Sequence, residues 1–377
     1  MKITTHLAQI GNKRDATGAI SFPVYHSSTF SHQGLGKSTG YDYSRSQNPT
    51  REVLEEAIAR LEGGDRGFAF SSGMAAISTI FALFRQGDHF IVTEDCYGGT
   101  FRLFHKILNQ FGLSASFVDT SKLDEIKKAI LPSTKAIFCE TPTNPMMRIA
   151  NIKQITLLAK SKGTLTIIDN TFLTPLLQKP IELRADIVVH SGTKYLGGHN
   201  DVLAGLVVIK DHSLAERFGV LQNAIGAVLG PQECWLLMRG MKTLALRVAA
   251  QEKNAQQIAR WLVKHPLVEA VYYPGLESHS GHDLQLEQAS GFGSMMSFTV
   301  KHQRLVRQIV EKVKIISFAE SLGGVESLIT FPTTQTHAEM PSEMRERSGV
   351  TDCLLRLSVG IEDVQDLIED LEQAFSE

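Results

Sequence analysis

The feature that most constrains this chain is an alternation of short apolar runs with helical stretches. Phe68–Phe70, Phe90–Thr93, Ser116–Val118, Ala136–Cys139, Leu165–Ile168 and Ile187–His190 are too short for helices, and they read as buried strands. Helices fit between them. Ala75–Phe84 stops at Gly87, Phe101–Phe111 stops at Gly112, and Ile152–Lys160 follows Asn151, a capping residue. A strand–helix–strand order of this kind predicts an α/β domain with a mainly parallel sheet. Its opening helix spans Arg51–Leu61, where Val53, Leu54, Ala57, Ile58 and Leu61 share one face after the start signal Asn48-Pro49-Thr50.

The pattern changes beyond Val202. A glycine-flanked strand, Leu206–Ile209, is followed by a long helical stretch from about Trp235 to His265, stopped by Pro266. Strands at Val268–Tyr273, Met295–Val300, Ile315–Phe318 and Leu354–Ser358, with helices over Gln303–Lys312 and Val364–Phe375, predict a smaller α+β domain. The expected division is an arm over 1–50, an α/β domain over 51–235 and an α+β domain over 236–377. The arm, rich in Gly, Ser and Thr, suits either an extended segment lying on another surface or a disordered tail. A chain of 377 residues exceeds what one core usually supports, which agrees with two domains.

Composition narrows the function classes. With 43% hydrophobic residues, 21% charged residues and a formal net charge of −2, nothing is basic enough to suggest nucleic-acid binding. Four widely spaced cysteines form no CxxC pair and read as reduced thiols. The first residues lack a secretory apolar core, and no run has the length of a membrane span, so the cytoplasm is the expected location. His190, His199, His282 and His337 show no metal-ligand spacing, and no metal is expected. Gly36-Lys37-Ser38-Thr39 resembles the end of a P-loop, but Ser31 stands where its first glycine belongs and no strand precedes it.

Ligands of open α/β sheets gather at the carboxyl ends of the strands. The turns there hold Ser71-Ser72-Gly73-Met74, Cys96-Tyr97-Gly98-Gly99, Glu140 to Pro145, Asp169-Asn170-Thr171 and His190 to Tyr195. Ser72-Gly73-Met74 suits an anion at a helix start, or a plain turn. Ser191 and Thr193 suit phosphate oxygens or simple strand termination. Lys194 directly follows an apolar strand, where desolvation would lower its pKa as a Schiff-base lysine requires; a solvated lysine is the other reading. Asp169 suits a partner for a protonated pyridine nitrogen, or a helix cap. Tyr97 could stack on a flat ring or pack in the core. Arg356, embedded in Leu354–Ser358, needs an anion, either a substrate carboxylate or a structural ion-pair partner.

These motifs together resemble the γ-family of fold-type I pyridoxal-phosphate enzymes of cysteine and methionine metabolism, over about Ala8 to Leu371. Besides the turns above, Asp42-Tyr43-Ser44-Arg45 with Asn48-Pro49-Thr50, Ser191 to His199, Ala319 to Ser327 and Arg356 to Glu362 carry the likeness. The resemblance implies pyridoxal 5′-phosphate linked to Lys194, with its pyridine nitrogen paired to Asp169 and its ring under Tyr97. Gly73, Met74, Ser191 and Thr193 would hold the phosphate, and Tyr43 and Arg45 would reach it from a neighbouring subunit. The implied assembly is a tetramer of two tight dimers with shared sites. Arg356, with Asn144 and the backbone near Ser321, would bind the substrate α-carboxylate, while Glu320, Asp42 and Arg102 would line the distal end. Gly192 stands where the family often has Ala, and Gln47 where Gly or Ala is common.

Within that family, Asp42, the Leu322-Gly323-Gly324-Val325 run, Gln222 to Gly226 and Leu7 to Asn12 resemble bacterial γ-synthases. The implied reaction is γ-replacement joining O-acetylhomoserine, or another O-acylhomoserine, to cysteine, with sulfide as a further acceptor. Cystathionine γ-lyase is the alternative.

Overall fold

The apolar runs become one seven-stranded sheet in the computed structural model, which describes residues 1–12 and 14–376. Its strands are β1 (Arg66–Phe70), β2 (His89–Thr93), β3 (Ser114–Val118), β4 (Thr134–Glu140), β5 (Leu165–Asp169), β6 (Ile187–Ser191) and β7 (Gly205–Ile209). Each predicted run falls inside its strand. The order is β1-β7-β6-β5-β4-β2-β3. The strands from β3 to β6 are parallel, and β7 runs antiparallel to both β6 and β1, so the sheet is mainly parallel as expected.

Burial on both faces explains why these runs are continuously apolar. Phe138, Ile167 and Val189 pack on one face beneath Ile77 and Ile80 of the helix Gly73–Phe81. Ile137, Ile168 and Val188 pack on the other against Leu54 and Ile58 of the helix Pro49–Glu62. Full burial stabilises each such side chain by roughly 1.5–3 kcal/mol relative to exposure. Asn48 caps the second helix by accepting hydrogen bonds from the amides of Thr50 (2.9 Å) and Arg51 (3.3 Å), as its sequence signal implied.

The second sheet comprises β8 (Val268–Tyr272), β9 (Met295–Val300), β10 (Ser317–Phe318), β11 (Leu328–Thr330) and β12 (Leu354–Ser358), in the order β10-β11-β12-β9-β8. Its core includes Ile258 and Leu262 of the helix Leu244–Lys264, Ile309 of Gln303–Lys312, and Leu367 and Leu371 of Val364–Phe375.

Several sequence expectations are corrected. The arm is not wholly extended, because Ile3–Ala8 is helical and buries Leu7 in the core of the large sheet. The stretch 235–265 is two helices, Pro231–Met241 and Leu244–Lys264. They part where the Arg247 guanidinium donates to the Gly240 carbonyl (2.9 Å) and the Thr243 hydroxyl (3.1 Å), so side-chain bonds stand in for a continuous helical ladder. Phe101–Phe111 is likewise a helix, Gly98–Lys106, followed by a separate 3₁₀ turn, Leu108–Phe111. β11 and the helices Leu123–Ala129, His212–Ile225, His282–Gln288 and Ser342–Ser348 are additional elements. Among the described residues no helix is long and apolar enough to cross a membrane.

Candidate active site

A cavity of about 320 Å³ opens at the carboxyl ends of β4, β5 and β6 and is closed from the other side by residues of the second sheet's connections. It gathers eleven of the predicted site residues: Gly73, Met74, Tyr97, Asn144, Asp169, Ser191, Thr193, Lys194, Glu320, Ser321 and Arg356.

One end is an amide- and hydroxyl-lined cup. Ser72 caps the helix Gly73–Phe81 by accepting from the Ala75 amide (3.1 Å), which leaves the amides of Gly73 and Met74 without helical acceptors. A Cβ on Gly73 would stand 3.2 Å from Ser191 Cβ, and one on Gly205 would collide with the Ser72 carbonyl, so both glycines keep the cup open. The Thr193 hydroxyl donates to the Ala204 carbonyl (3.3 Å) and accepts from the Ala204 amide (3.0 Å). That bond pair fixes the turn leading to Lys194.

The floor carries charge. Asp169 ends β5, and its Oδ1 accepts from the Thr171 amide (3.0 Å) and hydroxyl (2.6 Å), leaving Oδ2 unpaired among the described residues. It closes a local turn and does not cap the next helix, whose cap residue is Leu173. Burial raises its pKa, against the two Thr171 bonds and nearby His190. Lys194 Nζ donates to Ser321 Oγ (3.0 Å), and burial, together with the Arg356 charge, pulls its pKa down to about 8 against the pull of Glu320. A freely solvated lysine does not fit this position.

Arg356 is 1% exposed. Its guanidinium donates to Asn144 Oδ1 (2.9 Å), the Ser321 carbonyl (3.0 Å) and the Thr330 hydroxyl (3.1 Å), while Nε has no partner. All three acceptors are neutral, so the structural ion pair that the sequence left open is not present among the described residues. Burial lowers this group to about 10. A buried guanidinium whose direct partners are all neutral, with the carboxylates of Glu140 and Glu320 near but not bonded to it, suits a carboxylate ligand.

Tyr97 borders the cavity at 40% exposure, ahead of Gly98 and Gly99. A Cβ on Gly99 would enter the Tyr97 ring and the Met74 sulfur, and one on Gly98 would strike the Thr336 carbonyl. The paired glycines therefore admit both the tyrosine ring and a segment of the second domain.

Four predicted residues lie elsewhere in this chain. Asp42 contacts His32 Nε2 (2.9 Å) and the Ser38 hydroxyl (2.6 Å), and Tyr43 is about half exposed. Arg45 donates to the Asn223 carbonyl (2.7 Å), and Arg102 pairs with Glu339 (2.9 Å) at the surface. Conversely, Glu140, Thr171 and Thr336 border the cavity but were not singled out as site residues. Glu140 stands beside Asp169 in register, accepts from the Tyr97 amide (2.9 Å), and is pushed well up by burial and by Asp169. Its signal was available, because it ends an apolar strand as Asp169 does.

The donor set suits pyridoxal 5′-phosphate: a desolvated amine, a carboxylate with one oxygen unbonded among the described residues and an anion cup line one cavity walled partly by an aromatic ring. Among the described residues no cluster of three His, Cys, Asp or Glu could hold a metal ion.

Comparison with known proteins agrees. A family model described as "Cys/Met metabolism PLP-dependent enzyme" matches residues 4–376. The chain is 54% identical to a Lactococcus lactis protein named cystathionine beta-lyase, over 95% of this chain and 94% of that one. It is 53% identical to a Bacillus subtilis protein named cystathionine gamma-synthase/O-acetylhomoserine (thiol)-lyase, over 99% and 96%. The solved structure of cystathionine gamma-lyase from Lactobacillus plantarum, complexed with L-serine, superposes with a TM-score of 0.98 at 50% identity, covering 100% of this chain and 99% of that one.

Proposed function

The chain belongs to the pyridoxal-phosphate-dependent enzymes of cysteine and methionine metabolism, and from that premise we propose that it catalyses γ-replacement: O-acetylhomoserine, or another O-acylhomoserine, and cysteine give cystathionine and the free acid. The bound cofactor supplies an electron sink for the bonds at Cα and Cβ. The protein's part is to bind, orient and move protons.

The observation that carries the reading is that Lys194 and Arg356 meet at one residue. Lys194 Nζ binds the Ser321 hydroxyl and Arg356 binds the Ser321 carbonyl, each at 3.0 Å. A substrate whose α-carboxylate sits on Arg356 and Asn144 therefore presents its Cα and Cβ hydrogens towards Nζ. With a pKa of about 8, Nζ can take a proton from one carbon and return it to another near neutral pH. Asp169, holding Oδ2 towards the cavity, would pair the pyridine nitrogen; Gly73, Met74, Ser191 and Thr193 would receive the phosphate, and Tyr97 would cover the ring.

Glu320, next to Ser321 on the cavity wall, offers a carboxylate for the ammonium of an incoming amino acid. This favours a second substrate over water. End-to-end similarity to relatives named as γ-synthases is in keeping with it. Among the described residues the only Lys and Arg lining the cavity are Lys194, bonded to Ser321, and Arg356, bonded to Asn144, Ser321 and Thr330. A phosphate in the cup calls for positive charge from outside the chain, which supports a shared site completed by Tyr43 and Arg45 of a second copy in a dimer of dimers.

The second reading is cleavage of cystathionine, favoured by relatives of 51–54% identity named as γ- and β-lyases. Both readings use the same floor. The deciding experiment supplies the holoenzyme with O-acetylhomoserine plus cysteine, or with cystathionine alone. Faster formation of cystathionine and acetate is expected. Faster release of 2-oxobutyrate and cysteine from cystathionine replaces this reading with γ-elimination; pyruvate and homocysteine replace it with β-elimination.

A further inference from the structure

β11 and β12 are antiparallel neighbours, a pairing that a turn of about two to five residues could connect. The chain uses residues 331–353 instead. Long connections of this kind usually serve a site. This one leaves the second sheet and docks on the large domain. Met340, 3% exposed, joins the apolar cluster of the large sheet. Arg347 pairs with Glu94 (2.9 Å), and the Ser348 carbonyl accepts from Arg148 (2.9 Å). Thr336, at the near end of this strap, borders the cavity, with its carbonyl against Gly98.

His337 is the strap's link to the substrate side. It is 1% exposed, and its Nε2 lies 3.0 Å from the Asn144 carbonyl. A carbonyl only accepts, so Nε2 carries the proton, and Nδ1 accepts from the Thr336 hydroxyl at 2.9 Å. This neutral tautomer satisfies both nitrogens. Burial and the neighbouring Arg356 charge, with Arg345 adding to them, pull the imidazole down to about 4 against the Asn144 and Cys96 carbonyls, so it stays neutral at working pH. Asn144 in turn accepts from Arg356 through Oδ1 (2.9 Å). The series strap, His337, Asn144, Arg356 is unbroken.

We infer that His337 is a positioning residue for substrate: by holding the Asn144 backbone it sets the carboxylate clamp of Asn144 and Arg356, so that the clamp forms only when the strap is docked. The inference rests on the clamp described above, and its test separates the two.

The test uses holoenzyme and whichever amino-acid substrate the wild type turns over. L-2-aminobutyrate and its carboxamide serve as competitive inhibitors that differ only in the carboxylate. His337→Asn, whose amide reaches only the Nδ1 position, should raise KM about tenfold with kcat within about threefold, and should lower the wild-type preference for acid over amide about tenfold. His337→Gln, whose amide nitrogen reproduces the Nε2 donor, should stay within about threefold of wild type. General damage to the fold would move both inhibition constants together and would not be rescued by glutamine. Equal weakening of acid and amide, or an unchanged preference in His337→Asn, overturns the inference. If His337→Asn does not fold, Thr336→Val, which removes the Nδ1 partner, should lower the preference about threefold, and no change overturns the inference. Arg356→Lys is the control: its preference must collapse. An intact preference there overturns the clamp and this inference together, whereas collapse there beside an unaltered His337→Asn overturns only the role of His337.

Discussion

The floor of the cavity and the exposed surface outside it are built on opposite terms. On the floor, Asp169 and Glu140 end strands, Arg356 lies within one and Lys194 sits in the turn after one; all are wholly or partly buried and hold their geometry through short bonds to neutral groups. At the surface, outside the cavity lining, Asp42, Arg45 and Arg102 are exposed and bonded to other groups of the same chain, Asp42 to His32 and Ser38, Arg45 to Asn223 and Arg102 to Glu339. Exposed ion pairs are worth about 0–1 kcal/mol, so such contacts can be exchanged for a substrate or a second subunit at small cost. A buried charge cannot be moved that way. Under the proposed function, the contrast teaches where a synthase and a lyase would part: the chemistry common to both would occupy the buried groups, and the choice among outcomes would fall to the exposed ones, whose contacts can be remade.

Removing the floor's reacting amine should have the largest effect. Lys194→Ala leaves the Ser321 hydroxyl without its donor but breaks no ion pair, so the protein should fold with a melting temperature close to wild type. Turnover should fall by at least about 10³-fold, because both proton transfers lose their carrier. Absorbance of the lysine-linked cofactor should disappear as well. Retention of wild-type turnover would remove Lys194 from the mechanism and erase the distinction between floor and surface.

Asp169→Asn sharpens the comparison within the floor. The side chain keeps an oxygen for the Thr171 amide and hydroxyl, so the turn after β5 should survive. The lost charge is the one proposed to keep the pyridine nitrogen protonated. Cofactor should still bind, while the rate drops about 10²-fold, on the order of other preorganised electrostatic contacts in active sites. Undiminished turnover with bound cofactor would show that the carboxylate only closes a turn.

The floor was legible in the sequence because its signal is local. Asp169 ends an apolar strand, Lys194 closely follows one and Arg356 interrupts one, and a charge in such a place needs a reason that can be read without knowing its neighbours. Glu140 had the same signal and was left within a motif. The strap was not legible. His337 and its partner Asn144 are 193 positions apart, and Asn144 and Arg356 are 212 apart, so no window along the chain contains the chain of bonds. The break at Thr243 was hidden for a related reason: neither Lys242 nor Thr243 stops a helix by itself, and the bonds from Arg247 become visible only in three dimensions. The placement of Asp42, Arg45 and Arg102 outside the cavity was hidden too, since a motif names residues without saying which chain's cavity they enter.

The smallest expected effect lies at the surface, where Arg102→Ala tests whether an exposed residue can govern the outcome without touching the chemistry. Arg102 and Glu339 are each about half exposed and paired at 2.9 Å. Losing that pair should cost no more than about 1 kcal/mol of stability, so the melting temperature should barely change. If Arg102 exchanges Glu339 for the carboxylate of incoming cysteine, the variant should hold cysteine less well at the distal end. The attacking thiolate would then arrive later, after the acyl group has already left. Acetate release should accordingly change little, because it precedes the choice between thiol addition and elimination. The ratio of 2-oxobutyrate to cystathionine should rise by about three- to tenfold, the loss expected from one exposed charge-assisted contact to a positioned substrate. Glu339→Gln should act in the opposite direction if the pair competes with substrate, since it frees the guanidinium. Measuring acetate, cystathionine and 2-oxobutyrate in one reaction separates these possibilities. A fall in all three by the same factor would mean that Arg102 acts before the leaving group departs, and would place it with the floor despite its position at the surface.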